Sequence, residues 1–106
     1  MSEEKGFLSL LPQGWFPCNP TRATGFFEEL QRELPKGHIL YRKVVKVIAD
    51  RDGATDDILC QHEDDKNHFT VIHLTWSGKE ETNKNYPYVV CDGNFYDFLE
   101  CMKADF

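Results

Sequence analysis

Three apolar stretches, Ile39 to Ala49, Asp57 to His62 and His68 to Trp76, follow one another with only short polar connections between them. In the first, Ile39, Tyr41, Val44, Val45, Val47 and Ile48 are β-formers, and neither Gly nor Pro interrupts them. The connections, Asp50 to Thr55 with its Asp52-Gly53 pair and Glu63 to Asn67, suit hairpin turns. A parallel crossover needs roughly a dozen residues or more, so the strands are expected to run as an antiparallel meander. A further short strand is expected around Tyr88 to Cys91, after a polar loop that begins at Ser77-Gly78.

Side-chain alternation makes this sheet unusual. Ile72, Leu74 and Trp76 point one way, while Phe69, Val71, His73 and Thr75 point the other. The first strand repeats the pattern, with Val45 and Val47 opposing Val44 and Ile48. Both faces are apolar, and both need cover. The cover could come from the Phe7–Phe16 segment, from helices on opposite faces, or from another subunit in a symmetric dimer.

Two helices bracket the strands. Asn19-Pro20 reads as a helix start, with Asn as N-cap and Pro in the first turn. Ala23, Phe26, Phe27, Leu30 and Leu34 keep one apolar face, with Glu28, Glu29, Arg32 and Glu33 on the expected wet side, and Pro35-Lys36-Gly37 ends the helix. The closing helix has Asn94 as N-cap, Asp97 near its positive end, and Phe95, Phe98, Leu99 and Met102 at helical spacing. The expected fold is α+β: a three- to four-stranded antiparallel meander flanked by an N-terminal and a C-terminal helix, one domain over 1–106, with 1–17 as a packed arm. A chain of 106 residues has room for one such domain.

Charge narrows the range of partners. There are 18 acidic and 12 basic side chains, a net charge of −6. Asp50, Asp52, Asp56, Asp57, Glu63, Asp64 and Asp65 against Arg51 account for all of it, and Lys36, Arg42, Lys43 and Lys46 form an acid-free basic run upstream. Neutralising phosphates needs surplus Lys and Arg, so nucleic acid is not an expected partner. No apolar run is long enough for a transmembrane helix, and no membrane association is expected. The acidic start Met1-Ser2-Glu3-Glu4 is unlike a secretory signal, which makes the cytoplasm the expected location and Cys18, Cys60, Cys91 and Cys101 free thiols. Cys18, in a Pro-flanked loop, is the most exposed to reaction of the four, although nothing near it in sequence stabilises a thiolate.

Chemistry-bearing patterns are sparse. Cys60 and His62 project to one strand face and could hold zinc with His73 if the register brought them level. The Asp50–Asp57 turn offers oxygen ligands, but Gly53 is fourth and Gln61 twelfth where a calcium-binding EF-hand loop needs Gly at six and Glu at twelve. No phosphate-cradling glycine loop and no nucleophile elbow occurs, and no cofactor is expected. The strand end with His73, Thr75, Trp76, Ser77 and Lys79 is the one place where a general base and polar neighbours could gather, provided that a carboxylate orients His73.

The stretch His73-Leu74-Thr75-Trp76-Ser77-Gly78-Lys79-Glu80, with Leu34-Pro35-Lys36-Gly37-His38 and Asp56-Asp57-Ile58-Leu59, resembles a group of small bacterial proteins of similar size. The resemblance covers about half the chain. It implies a bacterial cytosolic origin and assigns no activity to any residue.

The function expected from these features is non-enzymatic: an acidic protein-interaction domain, self-associating or docking a basic partner at 50–65 through Asp56, Asp57, Asp64 and Asp65, with Trp76 nearby. The alternative is a small hydrolase or ligand-binding protein with His73, Ser77 and Lys79 at its site and Trp76 as an apolar wall.

Overall fold

The computed structural model describes residues 3–52 and 56–104. The elements run α1 (Glu3–Leu8), β1 (Trp15–Pro17), α2 (Pro20–Glu33), β2 (Val45–Arg51), β3 (Asp57–His62), β4 (Phe69–His73), β5 (Tyr88–Gly93) and α3 (Phe95–Ala104). The strands form one antiparallel sheet in chain order, β1 to β5. The α+β class and the meander are as expected from the sequence, but the described residues form five strands and three helices. Gly53 to Thr55 of the expected β2–β3 turn lie outside the described residues.

The extra elements come from the first 17 residues. Trp15 pairs with Arg51 and Pro17 with Ala49, which adds a three-residue edge strand to β2. Pro17 is tolerated because an edge strand can spare a donor. Trp15 is buried; its indole N–H donates to Met102 Sδ at 3.2 Å and its ring meets Phe98 edge-on at 5.2 Å. The segment is therefore a packed arm that also pairs.

Both sheet faces are covered within the chain. On one, Ile48, Ala49, Leu59, Phe69 and Val71 pack with Phe95, Phe98 and Met102 of α3 and with Phe7 and Leu8 of α1. On the other, Val45, Val47, Ile58, Cys60 and Ile72 pack with Leu30 of α2 and with Leu34, Leu40 and Leu74. Burying each large apolar side chain contributes about 1.5–3 kcal/mol. With helices on both sides, the apolar faces no longer call for a second subunit.

The helix signals read true. Asn19 is the N-cap of α2, its side chain accepting from Arg22 N at 2.8 Å, with Pro20 next. Asn94 Oδ1 accepts from Asp97 N at 2.8 Å while Asp97 Oδ2 accepts from Asn94 N at 3.0 Å, a reciprocal box that starts α3. Two strand limits differ from expectation. β2 begins at Val45 and not at Ile39, because the chain from Leu34 is held in turns: Leu40 N–H donates to His38 Nδ1 at 3.0 Å and His38 Nε2 reaches Pro87 O at 2.7 Å. β4 ends at His73 and not at Trp76, because the backbone that follows is captured by α2, as described next.

Candidate functional site

Polar side chains gather at three places, and the strand end after His73 is the first. Glu29 and Glu33 stand one turn apart on α2, expected on its wet side but in fact buried. Glu33 Oε1 accepts from Thr75 N at 2.9 Å and Oε2 from Trp76 N at 2.8 Å, while Glu29 Oε2 accepts from Gly78 N at 3.0 Å. The two carboxyls clamp a loop whose Trp76 and Gly78 have φ of 57° and 74°. Burial, then the hydrogen bond to Glu29, pushes Glu33 up to about 7. The hydrogen bond from Glu33, with further donors at Gly78 and Arg32, holds Glu29 below the usual carboxylate range. The pair shares one proton near neutrality.

Beyond the clamp, His73 Nδ1 lies 2.8 Å from Asp57 Oδ1, directly across the β3–β4 register, and Arg51 Nη1 is 3.5 Å from Asp57 Oδ2. The orienting carboxylate that a general base would need is therefore present. Among the described residues, no hydrogen bond joins His73 to Ser77 or Lys79, the other residues of the hydrolase alternative. Ser77 Oγ–H donates to Lys79 O at 2.9 Å, inside its own turn, and both residues are exposed. Trp76 turns toward Phe26, ring centroids 6.0 Å apart, and its Nε1–H donates to Asp56 Oδ1 at 3.0 Å. Four surface clefts of about 400–480 Å³ are formed elsewhere, and none of these four is lined by His73, Trp76, Ser77 or Lys79.

The second place is the opposite end of β3. His62 and His68 stack with ring centroids 3.6 Å apart and planes at 4°. His62 Nε2 is 2.8 Å from Thr70 Oγ1, Thr70 Oγ1–H donates to Asp92 Oδ1 at 2.5 Å, and His68 Nε2 is 2.8 Å from that same oxygen. Burial and the neighbouring His68 lower the pKa of His62. This grouping corrects the expected zinc set. Cys60 is buried in the α2-side core, while His73 pairs with Asp57 on the other face, so Cys60, His62 and His73 do not meet. The partners His62 does have, His68 and Asp92, become neighbours only through the β3–β4 turn and the β4–β5 register, which sequence spacing does not reveal.

The third place is a cleft of about 400 Å³ beside β5, lined by Gly37, Ile39, Lys84, Tyr86, Tyr88 and Val89 among others. Ile39, Tyr86 and Tyr88 expose 51%, 45% and 52% of their surface here, an apolar rim on an otherwise polar loop.

The acidic stretch does not make one patch. Asp56 and Asp57 stand at the start of β3 and Asp64 and Asp65 beyond its end, so the length of the strand, roughly 20 Å, separates the pairs. Several of the acids are also engaged internally: Asp50 by Arg22 and Cys18, Asp57 by Arg51 and His73, Glu63 by Lys66. Cys18 is shielded as well, its thiol pushed up to about 12 by burial and by the Asp50 carboxylate it donates to.

No family model, curated protein or solved structure matches this chain. Among the described residues, no helix is long and apolar enough to cross a membrane.

Proposed function

We propose that this is a protein-interaction domain whose binding surface is the free edge of β5 and the aromatic cleft beside it, and that its ligand is an extended segment of a partner protein. The observation that carries the reading is the contrast in burial across the sheet. Every residue of β3 is buried, whereas every residue of β5 is half-buried or exposed. β5 pairs with β4 on one side and with no described strand on the other. An edge strand presents a row of unpaired N–H and C=O groups, and strand addition uses them for affinity while neighbouring pockets select side chains. Here Ile39, Tyr86 and Tyr88 would take apolar side chains, and Lys84 favours a carboxylate. This moves the interaction surface from the divided acidic stretch to the opposite edge of the molecule from β1.

The test is selection of short random peptides from a displayed library, followed by anisotropy titration of a synthesised binder. Tyr88→Lys and Lys84→Glu are each expected to weaken an acidic-apolar binder about tenfold, on the order of 1.4 kcal/mol. Tyr96→Ala, at an exposed position on α3, should leave binding unchanged. Failure to enrich any binder, or equal binding by Tyr88→Lys, refutes the reading. Light scattering guards against a second occupant: a dimer that dissociates in Tyr88→Lys would show another copy of this chain on the edge and overturn the separate partner.

A further inference from the structure

The stacked histidines at the far end of β3 serve no part of that reading, yet three of their atoms converge. We infer that His62 Nε2, His68 Nε2 and an Asp92 carboxylate oxygen form a binding site for one divalent transition-metal ion of the zinc class. One ligand atom from each residue lies within 4.8 Å of the others, and two contacts in the network are 2.8 Å. A tetrahedral ion with ligand bonds of about 2.1 Å sets its ligands roughly 3.4 Å apart; the distances are within reach, and binding would tilt the two rings out of their parallel stack so that both lone pairs aim at the ion.

The hydrogen-bond network already marks the spot. With Asp92 ionised, His68 Nε2–H points at its Oδ1, and His62 Nε2–H points at Thr70, whose own hydroxyl donates to that oxygen. One imidazole N–H and one hydroxyl thus meet at a single carboxylate oxygen, with the second imidazole held on that hydroxyl, where a cation could replace the hydrogens. Each imidazole would bind through Nε2 and carry its hydrogen on Nδ1.

The scaffold around the cluster is built from backbone anchors. His62 ends β3, and His62 N–H donates to His68 O at 2.9 Å, which closes the turn and sets the stacked rings. Asp65 Oδ1 accepts from Asn67 N at 3.0 Å, and Gln61 Nε2 donates to Lys66 O at 2.8 Å, holding the turn from both sides. Asn67 Oδ1 accepts from Phe95 N at 3.1 Å, fastening it to the start of α3. Thr70 orients Asp92 as outer-shell donors orient metal-binding carboxylates. His62 is buried while His68 and Asp92 are about one-third exposed, so solvent can fill a remaining coordination position. Two imidazoles and a carboxylate with open positions suit Zn²⁺, Co²⁺ or Ni²⁺ better than Ca²⁺ or Mg²⁺, which prefer all-oxygen shells.

The experiment titrates the full chain, stripped with chelator, with ZnCl₂ by calorimetry and with CoCl₂ by visible absorption. One equivalent of either ion should bind, with cobalt giving d–d bands, and zinc should raise the melting temperature. His68→Gln and Asp92→Asn should each weaken zinc binding at least about tenfold and abolish the thermal shift, whereas His73→Ala should behave as the parent. Should His68→Gln fail to fold, Asp92→Asn and the NMR shifts of the His62 and His68 ring protons on adding zinc carry the test. No saturable binding up to millimolar zinc, or equal loss in His73→Ala, overturns the assignment.

Discussion

The clamp of Glu33 on the Thr75–Trp76 backbone predicts an unusual pH dependence of stability. In the unfolded chain Glu33 titrates at its ordinary 4.5, whereas in the fold it holds its proton up to about 7. Between these values the folded state binds one more proton than the unfolded state, so stability must fall as pH rises through that window. At about 1.36 kcal/mol per pH unit the full effect is on the order of 3 kcal/mol, which for a domain of this size is a drop of roughly 15 °C in melting temperature. His62 acts in the opposite sense: its folded pKa is depressed, so its contribution grows as pH rises toward its unfolded value near 6.5. Glu29, also depressed, acts below 4.5, outside the window. The parent slope alone would therefore mix signs. Comparing it with Glu33→Gln removes what both proteins share, because His62 lies at the other end of β3 from the clamp and distant sites add. The glutamine keeps one acceptor for the loop and has no proton to lose. Urea denaturation followed by tryptophan fluorescence, from pH 4.5 to 7.5, should show the parent losing about 2–3 kcal/mol relative to Glu33→Gln. Parallel curves for the two proteins would refute the shared-proton account of the clamp.

Two further outcomes follow from the packing. Phe98→Ala empties a buried site against Trp15, Phe95 and Met102 and should cost about 3–5 kcal/mol in urea denaturation, with the indole emission of Trp15 shifting to the red. Cys18 should react with iodoacetamide far more slowly than a free thiol at pH 8, and Asp50→Asn should speed it by removing the carboxylate that disfavours the thiolate; mass spectrometry of the timed reaction reads both.

Much of the scaffold was legible from residue order. Asn19-Pro20 and Asn94 with Asp97 announce helix starts because side-chain capping is local chemistry. The meander followed from alternation and short turns. The limits were non-local. Ile39 and Tyr41 are β-formers, but His38 binds the backbone at Leu40 and Pro87 and keeps that stretch out of the sheet. Glu29 and Glu33 look like solvent-facing acids until one notices that they adjoin Leu30 and Leu34 on the helix surface, and only the returning Thr75–Gly78 loop supplies their donors. His68 and Asp92 are 24 residues apart, and nothing in spacing joins them. The Trp15–Pro17 strand was hidden by its brevity and its proline.

The paired cores on either side of β3 leave one problem that grease alone cannot solve. Ile58 and Cys60 serve one core and Leu59 the other, so sliding this strand by a single residue would trade hydrophobe for hydrophobe. Oil is blind to such a slip. The polar couplings at the strand's two tips, Asp57 with His73 and His62 with Thr70, are therefore the locks that choose among otherwise interchangeable alignments, and weakening both should yield a misthreaded sheet well before it yields an unfolded one.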